Sequence, residues 1–137
     1  MRAATMLASK YFLTALLFSA ATAQAGTPLV YKVYVEVCVA EQNVDRVMEA
    51  VDTPATKRLM GLPGVDELNA MMSHGWVGIE IGFKGGATED DRATVEGALK
   101  AIEFDPAVGL QSVSVVLEEA RADGKLPRMR GCGVPAR

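Results

Sequence analysis

The sequence predicts one α+β domain whose elements run β-α-β-β-α-β, and three observations carry that prediction. Residues 31–39 and 76–84 alternate apolar with other side chains at a period of two, the mark of strands with one buried face. Val44, Val47, Met48 and Val51, and again Val95, Ala98, Leu99 and Ile102, recur at the spacing that lays an apolar stripe along a helix. Turn residues at Leu62-Pro63-Gly64, His74-Gly75 and Gly85-Gly86 punctuate these segments.

In chain order, the first strand sets Tyr31, Val33, Val35, Val37 and Val39 on one face and Lys32, Tyr34, Glu36 and Cys38 on the other. The helix that follows is expected to be interrupted at Pro54, which lacks the N–H an interior turn uses, with Thr53 as the cap of a restart running through Leu59 and Met60 to Gly61. Residues 65–73 form a second strand whose alternation is blurred by Met71 and Met72. Ser73-His74-Gly75 is a hairpin turn, because Gly75 accepts a positive φ. The third strand turns Val77, Ile79, Ile81 and Phe83 inward. Its other face, Trp76, Gly78, Glu80, Gly82 and Lys84, is expected to meet solvent or a partner. Thr88 and Asp91 make a capping box that opens the second helix, which ends before Asp105-Pro106. The last strand, 111–118, points Val113, Val115 and Leu117 inward. This order folds as the ferredoxin-like plan, a four-stranded antiparallel sheet with two helices on one face.

A length of 137 residues bounds the chain to one domain with one core. With 14 basic and 17 acidic residues, a net charge of -3, it lacks the clustered Lys and Arg that a nucleic-acid partner demands. The single histidine, His74, has no serine or carboxylate tied to it by motif, which argues against an enzyme. No cofactor is implied: Gly85-Gly86 has none of the rest of a phosphate-binding motif. The acidic run Glu89-Asp90-Asp91 suits a helix N-terminus better than a cation site.

Residues 1–25 read as a secretory signal peptide: Arg2 and Lys10, an apolar run from Tyr11 to Ala21, then Ala23-Gln24-Ala25. The run is too short for a membrane anchor, and no later run approaches membrane length, so no membrane insertion is expected after cleavage. The mature chain is then an exported, periplasmic domain over 26–119, followed by a Gly-, Pro- and Arg-rich tail over 120–137. Export permits a disulfide between Cys38 and Cys132; the alternative is a buried strand thiol and a separate tail thiol. With 93 residues between them, the two cysteines have neither CxxC nor zinc spacing.

A string of ordered motifs is more specific. Val51-Asp52-Thr53-Pro54, Leu59, Gly61-Leu62-Pro63-Gly64-Val65-Asp66-Glu67-Leu68, Ser73, Gly75, Ile79-Glu80-Ile81-Gly82-Phe83, Gly85-Gly86-Ala87-Thr88, Asp91-Arg92-Ala93 and Val95 follow one another. The string resembles the first periplasmic porter subdomain of the resistance-nodulation-division (RND) efflux transporters, over about Val33 to Val116. It departs from that family where Pro54-Ala55-Thr56 replaces Pro-Ile-Glu and where the turn after the first strand lacks Pro-Gly-Ala. Heavy-metal-associated domains of the same fold share Leu-Pro-Gly-Val, but the loop that carries their CxxC reads Val39-Ala40-Glu41-Gln42-Asn43 here. The resemblance implies a place near efflux: a non-catalytic accessory or binding protein with an RND permease or its periplasmic adaptor as partner, a truncated pump gene, or a domain recruited to another task.

Two residue groups remain as candidate sites. Met71, Met72 and His74 combine thioethers with an imidazole, the set that Cu(I) or Ag(I) prefers; the plain alternative is a core methionine and a solvated turn histidine, since alternation sends Met71 and Met72 to opposite faces. Tyr34 and Trp76 are candidate anchors for a protein partner, or else lie beneath the tail. Sheets of this plan also pair along their edges, which makes a homodimer an expectation.

Overall fold

Valine at every second position makes strand β1 (Tyr31–Val39) the spine of the sheet, with Val33, Val35, Val37 and Val39 buried beneath the helices. The structure, a computed structural model, describes residues 29–121 and 132. Strand β1 pairs antiparallel with β3 (Trp76–Phe83) on one side and β4 (Leu110–Glu119) on the other; β2 (Val65–Ser73) completes the order β2-β3-β1-β4. Val35 sits opposite both Ile79 and Val115, so one register serves all three central rows. The result is the ferredoxin-like α+β arrangement, four antiparallel strands with two helical layers on one face.

Pro54 does not break the first helical layer, contrary to expectation. The layer runs through α1 (Val44–Val47), one π-helical turn (Met48–Asp52) and α2 (Thr53–Met60) without leaving helical geometry. Thr53 is not a side-chain cap; its N–H reaches back five residues to Met48 O, and Pro54 falls in the first turn of α2, where a missing N–H costs little. The wide turn also serves burial. Val47, Val51, Ala55 and Leu59 are fully buried at a spacing of four. In a pure α-helix such a repeat drifts by about 40° per step, and a π turn takes back part of the drift. Met48, expected on the stripe, points outward.

The second helix is capped as expected. Thr88 Oγ1 accepts the Asp91 N–H while the Asp91 carboxylate accepts the Thr88 N–H at 2.8 Å, opening α3 (Glu89–Lys100). Val95, Ala98 and Leu99 are buried; Ile102 lies past the helix end and packs partly on the core. Two positions expected inside are not. Tyr31 is exposed at the strand end, and Val113, on the edge strand β4 beside an open groove along α3, is 39% exposed. No described helix is long and apolar enough to cross a membrane. The signal peptide assigned to 1–25 lies outside the described residues, as does the tail beyond Arg121 apart from Cys132.

Candidate functional site

The helix-free face of the sheet holds most of the chemistry-bearing side chains. Strand pairing brings Lys32, Tyr34, Glu36 and Cys38 of β1 beside Glu80, Gly78 and Trp76 of β3, with Glu67, Asn69 and Met71 of β2 in the next row. Lys32 Nζ donates to Glu80 Oε1 at 2.6 Å and to Glu67 Oε2 at 3.1 Å, and Asn69 Nδ2 donates to Glu67 Oε1 at 2.9 Å. This ladder of charge spans three strands. It lies flat because Gly82 has no side chain: a Cβ there would stand 3.1 Å from Glu67 Cβ.

The face is therefore less open than its sequence suggests. Gly78 and Gly82 are buried and the Glu80 side chain is 13% exposed. Burial works to lower the Lys32 ammonium pKa, but hydrogen bonds to Glu80 and Glu67 outweigh it and hold the group above the ordinary lysine value. The hydrogen bond from Lys32 in turn holds the Glu67 carboxyl below the usual range, with Asn69 assisting. Tyr34, expected as an exposed anchor, is only 4% exposed. It stands on the central strand between Glu80 and Val116, and burial first, then the Glu80 charge, pushes its phenol up.

At the other end of this face, the Cys38 and Cys132 sulfurs are 2.08 Å apart in a disulfide that spans 94 positions of sequence. Trp76 lies directly across the strand pair from Cys38, half-buried, its Nε1 without a hydrogen-bond partner among the described residues. Glu36, Cys38 and Cys132 place a carboxylate and two sulfurs within 4.8 Å of one another. Bonded to each other, the sulfurs are not thiolates, so this group is no metal donor set.

Of the three candidate soft-metal ligands, the two methionines face opposite ways, as alternation predicts. Met72 turns to the helix side and packs against the core, whereas Met71, opposite Gly78, is 45% exposed on the other face. His74 is exposed in the hairpin, with Nδ1 2.8 Å from Gln42 O; a carbonyl only accepts, so Nδ1 carries the proton.

Two features escape a reading of sequence alone. The Lys32–Glu80–Glu67 ladder depends on register, although opposite charges at alternating positions of successive strands are its faint signal. The second is a groove of about 280 Å³ between α3 and β4, floored by Leu99, Ile102, Phe104, Leu110, Val113 and Val115, with Glu96 and Lys100 at its rim. Hydrogen bonds from Lys100 and Arg92 hold the Glu96 carboxyl at about 2. No protein-family model and no curated protein matches this chain.

Proposed function

We propose that this chain is an exported, periplasmic accessory or binding protein that works by association with an RND efflux permease or its periplasmic adaptor, without catalysis of its own. The observation that supports the reading is the ordered motif string from Val51 to Val95, which includes the Leu62-Pro63-Gly64-Val65 turn, the Ser73/Gly75 hairpin and the Thr88 helix start of a ferredoxin-like fold. The non-catalytic part rests on His74, the only imidazole, whose Nδ1 is taken by the Gln42 carbonyl. With Tyr34 buried, the apolar helix-free surface open to a partner among the described residues is Met71, exposed beside Gly78, and Val116 on the edge strand. The alternative, a soft-metal (copper or silver) or small-molecule module, would draw on Met71 or Met72 with His74, since the two methionines face opposite ways.

The test is affinity purification of the tagged protein from cross-linked native cell envelopes, with co-purifying proteins identified by mass spectrometry. Recovery of an efflux permease or adaptor, diminished by Met71→Glu, is the expected result. Recovery of the protein alone, together with stoichiometric Cu(I) binding abolished by His74→Ala, would replace this reading with the metal module.

A further inference from the structure

We infer that strand β4 is the contact edge of a two-fold symmetric homodimer, in which a second copy of this chain adds its own β4 antiparallel to the first and joins two sheets into one of eight strands. The inference is independent of the efflux reading. It starts from backbone groups. The Ala120 N–H donates to Val30 O at 2.7 Å, and the β1–β4 register runs unshifted from Tyr31 opposite Glu119 to Cys38 opposite Ser112. Bonds in an antiparallel ladder alternate, so residues 112, 114, 116 and 118 pair with β1. The N–H and C=O groups of Val113, Val115, Leu117 and Glu119 consequently point away from it, along an edge with no neighbour among the described residues.

Protein edges that remain alone are normally guarded by prolines, lysines or bulges. The opposite edge, β2, carries such guards: its register shifts at Asp66, and Asp66 and Glu67 stand beside the shift. β4 is bulged as well, at Gln111 beside its first residue, but from Ser112 to Glu119 its register is unbroken and, apart from Glu118 and Glu119 at its end, the stretch holds no proline and no charge. It also exposes Leu110, Val113 and Val116 and flanks the apolar groove under α3.

The sequence of β4 favours its own copy as occupant. With the two-fold axis at Val115, Val115 meets the partner's Val115 and Val113 meets the partner's Leu117, all four with outward backbone groups and side chains on the helix side. Glu118 then falls opposite the partner's Ser112, so that carboxylate faces a neutral hydrogen-bond donor. A parallel, in-register pairing would instead align like carboxylates, which is unfavourable. At the groove rim one acid and one base, Glu96 and Lys100, leave the helix flank without net charge toward a mate.

Sedimentation across a concentration series, combined with residue-resolved amide hydrogen exchange on the purified chain, tests the proposal. A dimer is expected, with the Val113, Val115 and Leu117 amides protected in step with dimer formation. Val113→Glu, at an exposed position that places a carboxylate near the partner's Glu119, should raise the dissociation constant by about tenfold or more while circular dichroism stays unchanged. If that variant fails to fold, the exchange pattern of the unmodified chain still decides. A monomer at about 1 mM, a dimer in which those three amides exchange freely, or protection that appears only on adding another protein would each overturn the assignment.

Discussion

Reducing the Cys38–Cys132 disulfide is the most informative single perturbation, because its effect can be bounded from chain geometry. The bond closes a loop of 94 residues, which removes about 4.7 kcal/mol of chain entropy from the unfolded state at 25 °C. If other contacts hold Cys132 in place, reduction forfeits all of that. If the bond alone holds it, reduction also frees the native arm that begins after Arg121, eleven positions before Cys132, and the same relation returns about 2.8 kcal/mol to the folded state. The net loss is then about 1.9 kcal/mol. Urea unfolding followed by circular dichroism, on one preparation with and without a phosphine reductant, measures the difference without cutting a cavity at Cys38. The reduced chain should lose between about 1.9 and 4.7 kcal/mol and show a steeper denaturant dependence, as its unfolded state expands. A loss below about 1 kcal/mol would refute the loop-entropy reasoning.

The charge ladder and the hairpin supply the remaining predictions. Lys32→Met leaves the mostly buried Glu80 carboxylate unpaired and should cost about 1–3 kcal/mol, with Glu80→Gln in the same background restoring part of it; additive single effects in the urea-derived cycle would show that the two side chains are not coupled. Glu67 and Glu96 both have carboxyls held below the ordinary value, so their contributions are present above about pH 4.5 and fade as pH falls, for Glu96 through about 2. Both groups are exposed, so the effect is small and screened by salt, and a carboxyl-resolved NMR titration should place the Glu96 midpoint near 2 in the intact chain and higher in Lys100→Ala. Gly75 has φ +69°, and a Cβ there would lie 2.9 Å from Val39 O, whereas Gly85, with φ +76°, has nothing within 4 Å. Gly75→Ala should therefore cost more than the roughly 1 kcal/mol expected of Gly85→Ala, and equal thermal shifts for the two would remove the argument from close approach.

The fold was legible because its signals are local. The valine alternation of β1, the Thr88/Asp91 capping box and the Gly75 hairpin each depend on residues within one turn or one strand, so the element order and the ferredoxin-like plan follow from the chain itself. Pro54 was harder, because a missing N–H can be met either by a break or by a wider turn. The four-residue spacing of Val47, Val51, Ala55 and Leu59 settles it in favour of the π turn only once these side chains are packed on the sheet.

The surface features belong to the second kind. Which strands form the sheet edges, whether Tyr34 is open or covered, and whether Lys32 finds two carboxylates all depend on pairing between strands distant in sequence. No short-range pattern encodes that pairing. The amino-acid sequence by itself determined the elements, their buried faces and the residue pairs that were chemically able to meet, since these follow from periodicity and backbone preference. Only the tertiary structure decided that Cys38 meets Cys132, and that β4 has no strand neighbour beyond β1 among the described residues, because each of these depends on segments that folding alone brings together.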